Sequence, residues 1–276
     1  MITGKSWMLF CVLCAGMGIP SKQVSAQTSD SALPDAPSET LFHPPHGGNP
    51  ASDREVSWRS LPKDFLHDQK QIWLFPLQLA KGKHLVPTLV IAGGTAILIA
   101  TDSHSTPYFG KHQGQLDDIN DVFNAYITTG EVIAVPASLM LAGYLRHDDY
   151  QVQTAILAGE AYADSAIVDL AMKAVTRRKR PIDVVGNNYQ DTFFSGGKSP
   201  FHGSAFPSGH AAGVFSVATV VAERYHNHRW VPWLAYSFAT AISCSRITTL
   251  AHFPSDVFLG AAVGYTVTRY AVLQPR

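Results

Sequence analysis

The chain has 276 residues, enough for one or two domains with a sizeable core. Its 21 basic and 21 acidic residues cancel, so nothing in the charge balance suggests general nucleic-acid binding. Charged residues make up 15% of the sequence, against about 25% in an average soluble domain. This deficit favours membrane contact, although a mean hydropathy of +0.03 is too low for a chain that is mostly transmembrane.

Residues 1–26 have the pattern of a secretory signal peptide. Lys5 precedes a short apolar run at residues 7–19, and the small residues 24–26 form a cleavage site. An uncleaved anchor is the alternative, for which the apolar run is short. We therefore expect an exported protein of the cell envelope, in the periplasm or the membrane, with its functional site facing outside.

Residues 27–62 are rich in Pro, Ser, Asp and Gly and show no apolar period, which predicts a flexible linker. The helical pattern begins at residue 63, so we expect one domain over residues 63–276. Its first segment, 64–80, is apolar on one side and interrupted by Pro76. This pattern predicts an amphipathic helix that either lies on a membrane surface or packs on the domain.

Six apolar stretches follow, and none alternates with the period of two residues that a half-buried strand requires. Small residues recur within them, as in closely packed helices. The sequence therefore predicts an all-α bundle of about six core helices. The stretches are 85–100, 127–145, 154–175, 211–222, 231–244 and 257–270.

The length and polarity of these stretches leave open whether the helices cross a membrane. The stretch 85–100 is apolar but shorter than the ~20 residues that a span usually needs. The stretch 154–175 contains Glu160, Asp164 and Asp169. Acids within a span are costly and must face the bundle interior, and their spacing close to one helical face permits this.

The first of three polar blocks that interrupt the apolar pattern is KAVTRRKRP, residues 173–181. Lys173 and Arg180 are seven residues apart, nearly two helical turns, so they can project from one helical face towards a dianion. Pro181 predicts that the helix ends at Arg180. The alternative interpretation is a basic flank that stops membrane transfer.

The second block is FPSGHAAGVF, residues 206–215. Ser208 is a good helix N-cap, and Gly209 lets backbone N–H groups approach a ligand closely. A helix N-terminus favours anions, so His210 in the first turn would stand beside a bound phosphate. Taken alone, the block is equally consistent with an ordinary helix start.

The third block is SRITTLAHFPSD, residues 245–256. Pro254 suits the first turn of a helix, and Asp256 suits its positive end. His252 and Asp256 are four residues apart, so the carboxylate can reach the imidazole if this turn is helical. Such a pair fixes the imidazole tautomer and leaves the other nitrogen to attack or to take a proton. The alternative is an N-terminal cap beside an incidental histidine.

All three blocks fall at helix ends, and a bundle can bring those ends together. The assembled site would hold a phosphate with basic side chains and the backbone of a helix start, and would offer a histidine on each side. The pattern alone does not decide which histidine attacks. The phosphate-binding candidates are Lys173, Arg180, Ser208, Gly209 and Arg246.

These blocks resemble the signature of the type 2 phosphatidic acid phosphatase (PAP2) superfamily, which also includes bacterial class A acid phosphatases and vanadium haloperoxidases. The signature is K-x6-RP, then PSGH, then SR-x5-H-x3-D, and every position matches. The matching residues are Lys173, Arg180 and Pro181; Pro207, Ser208, Gly209 and His210; and Ser245, Arg246, His252 and Asp256.

The resemblance implies a phosphatase that needs neither metal nor other cofactor. His252 would be the nucleophile and form a phosphohistidine, with Asp256 orienting it. His210 would protonate the leaving oxygen and then activate water. The phosphate-binding residues would stabilise the charge on the phosphoryl oxygens.

The expected substrate is a phosphomonoester or a diphosphate. Apolar helices and export favour a lipid or isoprenoid phosphate and contact with a membrane. A soluble periplasmic acid phosphatase that takes small phosphoesters is the first alternative, and a vanadium-dependent haloperoxidase is the second. An envelope protein that binds phosphate without catalysis is a further class, against which the intact His252, Asp256 and His210 argue.

Overall fold

A computed structural model describes residues 54–115, 120, 125–196 and 204–275 of the chain. The predicted signal peptide, 1–26, and the predicted linker as far as residue 53 lie outside these ranges. Within them the chain is helical, with connecting turns and no strands, which confirms the predicted all-α class.

The described residues contain eight helices, numbered here in chain order. The six predicted apolar helices correspond to α3–α8, and the predicted segment 64–80 corresponds to α1 and α2. The helices are α1 Leu61–Trp73, α2 Phe75–Ala80, α3 Leu85–Lys111, α4 Ala125–Arg146, α5 Asp149–Thr176, α6 Gly209–Arg224, α7 Trp230–Thr248 and α8 Pro254–Val267.

Local sequence explains where several of these helices begin and break. Leu74 separates α1 from α2, and Pro76 then occupies the first turn of α2, where its missing N–H is not needed. Asp148 caps α5 by accepting a hydrogen bond from the Gln151 N–H over 3.1 Å. Ser208 caps α6 in the same way through the Ala211 N–H, as its sequence position predicted.

The core lies where α5, α6, α7 and α8 pack on one another. Leu157, Val220 and Ile242 are among its fully buried side chains. Gly260 and Gly264 of α8 let it approach α6 closely, since a Cβ at either position would overlap the Ser208 or the Ala212 carbonyl oxygen. This contact fixes the start of α8 against the start of α6.

The acidic residues of α5 point inward, as expected from their spacing. Glu160, Asp164 and Asp169 are each at most 5% exposed. Arg54, in the stretch that precedes α1, is also buried and pairs with Glu160 over 3.0 Å. The described part of the predicted linker, 54–62, therefore includes residues that contact the bundle.

By length and composition, α3 is the one helix in the described ranges that could cross a membrane. Several of its large apolar side chains are exposed, among them Val86, Leu89, Val90 and Ile97. Its buried residues are polar: Thr95, Asp102 and Thr106. The side of α3 that contacts the bundle is thus more polar than the side that faces outward.

Candidate active site

The three polar blocks meet at one end of the bundle, where the last turns of α5 and α7 lie beside the first turns of α6 and α8. Backbone hydrogen bonds join these ends directly. The Ser208 N–H donates to the Asp256 carbonyl over 2.9 Å, and the Ala205 N–H donates to the Arg178 carbonyl over 2.8 Å. The fold therefore brings together three blocks that extend from residue 173 to residue 256 of the sequence.

Lys173 and Arg180 do not share one helix as the sequence suggested, because a turn separates them. Helix α5 ends at Thr176, and Arg177 adopts a left-handed conformation with φ of 43°. Its N–H donates to the Lys173 carbonyl, which closes the last turn. The predicted helix end at Arg180 is therefore wrong by four residues, because the chain turns inward before Pro181 is reached.

Lys173 lies against the start of α6 with a carboxylate as its partner. Its Nζ atom donates to Asp169 Oδ2 over 2.7 Å. A Cβ added at Gly209 would lie 2.9 Å from that oxygen and 3.0 Å from Lys173 Nζ. Gly209 is thus the residue that lets this pair contact the helix N-terminus. Burial raises the pKa of Asp169, although Lys173 opposes the rise.

The start of α6 supplies the second predicted block. Ser208 is fully buried, and its backbone N–H is already bonded to the Asp256 carbonyl. Gly209 and His210 are half-buried in the first turn, at the positive end of the helix dipole. A phosphate at this point would meet the backbone of the first turn, the same turn that carries His210.

Arg246, in the last turn of α7, is the third predicted phosphate-binding cation of the site. It is 1% exposed, and its Nε and Nη2 atoms donate to Ser245 Oγ over 3.1 and 2.9 Å. The backbone of its own turn also holds the nucleophile candidate, because the His252 N–H donates to the Arg246 carbonyl over 3.0 Å.

His252 is 4% exposed, and it lies close enough to Lys173, Arg180 and Arg246 to interact with their charges. Burial lowers its pKa well below the usual value, and the charges of Lys173, Arg180 and Arg246 lower the pKa further. The imidazole is therefore neutral at neutral pH. A neutral ring is the nucleophilic form, and it avoids repulsion with the cations that would hold a phosphate.

The tautomer of His252 follows from its hydrogen bond. Nδ1 lies 2.8 Å from the carbonyl oxygen of Ala205, which can only accept, so Nδ1 carries the proton and Nε2 keeps its lone pair. Asp256 Oδ2 lies 3.6 Å from Nδ1, outside hydrogen-bond distance. The structure thus places Asp256 beside the ring, as its spacing suggested, while a backbone carbonyl takes the hydrogen bond.

Asp256 is fully buried and held on both oxygens. Oδ1 accepts from Arg178 Nη1 over 2.6 Å, and Oδ2 accepts from the Phe253 N–H over 2.8 Å. Burial raises the pKa of Asp256 to about 7, although Arg178 and the Phe253 N–H both oppose the rise. The carboxylate next to His252 therefore titrates near neutral pH.

Arg178 is a site residue that the sequence interpretation missed. It is 1% exposed, and its guanidinium lies between the rings of Phe253, at 3.9 Å, and Phe193, at 4.5 Å. Besides Asp256 it binds Asp102 of α3, Nη2 to Oδ2, over 2.7 Å. One signal was available, because a lone aspartate in an apolar helix requires a buried cation as its partner.

Asp68, Glu160 and Asp164 form a second buried acidic group, with one oxygen of each within 4.8 Å of the others. Carboxylates at this spacing are able to bind a divalent cation. Here Arg54 supplies positive charge, 3.0 Å from Glu160 and 3.6 Å from Asp68. The Gln69 side chain also donates to Asp164 over 2.7 Å. This geometry describes a buried ion-pair network between α1 and α5.

Comparison with known proteins identifies the family. The family model of the PAP2 superfamily matches residues 154–276, from within α5 to the end of the chain. The matched region contains every predicted catalytic and phosphate-binding residue. Searches of curated proteins and of solved structures gave no match. The C-terminal part of this chain, residues 154–276, belongs to the PAP2 superfamily.

Proposed function

We propose that the protein is a metal-independent phosphatase that hydrolyses phosphomonoesters or diphosphates through a phosphohistidine on His252. PAP2 proteins are generally phosphatases, so the family supports a phosphatase-type function. One observation carries the finer proposal: the Ala205 carbonyl holds the proton of His252 on Nδ1, which leaves Nε2 as a nucleophile among three cations.

In the first step, Nε2 of His252 attacks phosphorus while the bond from phosphorus to the leaving oxygen breaks. His210 gives its proton to that oxygen. The Nδ1–H of His252 remains bonded to Ala205, so the phosphorylated ring becomes cationic. In the second step, His210 takes a proton from water, the resulting hydroxide attacks phosphorus, and the N–P bond breaks to release phosphate and neutral His252.

Lys173, Arg180 and Arg246 would stabilise the phosphoryl oxygens during both steps. Phosphoryl transfer needs positioning and positive charge more than covalent chemistry. The three side chains supply the charge that metal ions supply in other phosphoryl-transfer sites. Gly209 and the first turn of α6 would add backbone N–H donors, with Ser208 fixing that turn.

For the substrate we propose a lipid or isoprenoid phosphate, presented at the cell envelope to an exported, membrane-associated enzyme. Two features support this. The outward side of α3 is apolar, and α1 and α2 add the exposed side chains Leu66, Trp73 and Leu77. Exposed apolar side chains of this kind suit contact with acyl chains, and Trp is typical of the membrane interface.

The test of the chemistry uses the purified full chain in detergent, with chelator and p-nitrophenyl phosphate. We expect hydrolysis that survives chelation and falls at least about a thousandfold in His252→Ala. Replacement of the exposed His67 by Ala is the matched control and should leave the rate unchanged. If His252→Ala retained wild-type activity, the proposed nucleophile would be wrong.

Intermediate trapping makes the assignment of roles sharper. With ³²P-labelled substrate and alkaline quenching, the wild type should show label that is stable to base and labile to acid, as a phosphoramidate is. His210→Ala should accumulate this label when the leaving group is good, because the base of the second step is missing. Absence of label in both proteins would point to direct attack by water.

Substrate class is tested by comparing kcat/KM for lipid phosphates in mixed micelles with kcat/KM for small phosphoesters. The proposal expects a preference for the lipid of about a hundredfold or more, since apolar contacts add binding energy. Equal values, with partition of the protein into the aqueous phase, would favour a soluble acid phosphatase. Peroxide-dependent bromide oxidation after vanadate loading would instead indicate a haloperoxidase.

A further inference from the structure

Arg178 joins the nucleophile region to a residue far away in the sequence. Its Nη1 binds Asp256 and its Nη2 binds Asp102 on α3, over 2.6 and 2.7 Å. We propose that Asp102 is a positioning residue for phosphoryl transfer, which acts through Arg178 to set the charge and orientation of Asp256 beside the His252 ring. This proposal rests on the proposed function, and neither the family signature nor the spacing of the polar blocks contains Asp102.

The carboxylate of Asp102 binds two residues that contact or adjoin Asp256. Its Oδ2 accepts from Arg178 and from the Ser255 hydroxyl, and its Oδ1 accepts from the Ser255 N–H over 3.2 Å. Ser255 precedes Asp256 in the first turn of α8, and its hydroxyl also lies 2.7 Å from Arg178 Nη1. Asp102 therefore binds both Arg178, which pairs with Asp256, and Ser255, which precedes it in the chain. Asp102 is itself 1% exposed.

The charges of this group give Asp102 a role beyond packing. When both carboxylates are ionised, two negative charges share one guanidinium, so the group carries one net negative charge. Attack by Nε2 makes the His252 ring cationic, and net negative charge beside Nδ1 stabilises that cation. Without the Asp102 charge, Arg178 and Asp256 balance each other in net charge, and the stabilisation of the ring cation is weaker.

The ring of His252 also faces other charged and titratable groups, which remain unchanged when Asp102 is replaced. Because the cations lower the basicity of the ring, a compensating negative charge has a large effect here. Lys173 of α5, Arg180 of the turn after α5 and Arg246 of α7 act on the ring through their charges. Asp256 of α8 lies 3.6 Å from it. Asp169 of α5 pairs with Lys173, and His210 lies in the first turn of α6.

Kinetics give the first test, with three variants of matched chemistry. We expect Asp102→Asn to lower kcat about tenfold with KM within about twofold, and to move the acid limb of the pH profile down by roughly half a unit. Ser255→Ala removes hydrogen bonds from the same group but no charge, so its acid limb should stay in place. Asp68→Asn removes a buried carboxylate elsewhere and should leave the profile unchanged.

Oxyanion binding gives a second test that needs no turnover. Vanadate accepts an imidazole nitrogen as a fifth ligand and mimics the transition state, whereas sulfate remains tetrahedral. By calorimetry, Asp102→Asn should bind vanadate about tenfold more weakly and sulfate within about twofold of the wild type. Equal loss of both ligands, or no loss, overturns the proposal.

Arg178→Lys tests the same link if Asp102→Asn does not fold. Lys keeps the positive charge but cannot bridge two carboxylates as a planar fork does, so vanadate should bind several-fold more weakly with the acid limb in place. Wild-type vanadate affinity in this variant overturns the proposal. If the wild type binds vanadate but hydrolyses no phosphoester, only the proposed phosphatase activity is wrong. If it binds neither vanadate nor sulfate, both the phosphatase activity and the role of Asp102 are wrong.

Discussion

His252 donates the proton on Nδ1 to the carbonyl oxygen of Ala205 over 2.8 Å, while the carboxylate of Asp256 lies 3.6 Å from the same nitrogen. The backbone carbonyl therefore fixes the tautomer, and Asp256 acts on the ring through its charge. We therefore expect the protonation state of Asp256 to influence how the proposed activity depends on pH.

The first prediction concerns that pH dependence. Burial raises the pKa of Asp256 to about 7, whereas the pKa of His252 lies well below its usual value. As the pH falls through 7, Asp256 takes up a proton while His252 is still neutral. We therefore expect kcat/KM to fall below about pH 7, after correction for the ionisation of the substrate.

Asp256→Asn provides the control for this assignment. The variant should be about a hundredfold slower at pH 8 and should lack the limb near pH 7, because the titrating group is gone. A limb that persists at the same pH in Asp256→Asn would show that another group sets it.

A second prediction follows from the contact between Gly209 and the Lys173–Asp169 pair. In Gly209→Ala, the new methyl group meets Asp169 Oδ2 at 2.9 Å and Lys173 Nζ at 3.0 Å, so the pair must shift. Because both atoms end flexible side chains, stability should change little, while KM rises about tenfold through misplacement of Lys173.

Gly159→Ala is the matched control, since a Cβ at Gly159 meets no atom within 4 Å and that glycine also lies in a helix. Steady-state kinetics measure KM of the two variants, and thermal unfolding compares their stability. An unchanged KM in Gly209→Ala would mean that Lys173 does not bind the phosphate group.

The third prediction concerns Asp169, which shares the charge of Lys173. Asp169→Asn retains a hydrogen-bond acceptor for Nζ but removes the negative charge. Inorganic phosphate should then bind about threefold more tightly, because Lys173 no longer has an anionic partner that competes with the ligand. Calorimetric titration with phosphate measures this, and weaker binding would show that Asp169 is needed to hold Lys173 in place.

The fourth prediction tests the packing that aligns α8 with α6. In Gly264→Ala the new Cβ overlaps the Ala212 carbonyl. The backbones of α6 and α8 must therefore move apart to make room for it. We expect a loss of roughly 3 kcal/mol in the free energy of unfolding, and lower activity because the start of α8 carries Asp256. Chemical denaturation measures this free energy of unfolding, with Gly159→Ala as the control variant. Equal stability would show that the helices separate at no cost.

Much of this molecule could be predicted from the sequence, for reasons that are local. Apolar runs without alternation indicated α3–α8, Pro76 marked the break between α1 and α2, and Ser208 marked the start of α6. Short-range steric rules and hydrogen bonds determine these features. The motif spacings in three blocks likewise identified the cations, the two histidines and Asp256 as candidates.

The tertiary structure decided what those candidates contact. Spacing suggested that Asp256 bonds to His252 and that Lys173 and Arg180 share a helix face. Instead, Ala205 takes the hydrogen bond, and α5 ends at Thr176. No sequence pattern singled out Arg178 among the four consecutive basic residues 177–180. Its partner Asp102 lies 76 positions away, and only packing of α3 against α8 brings such distant charges together, where burial makes their pairing strong.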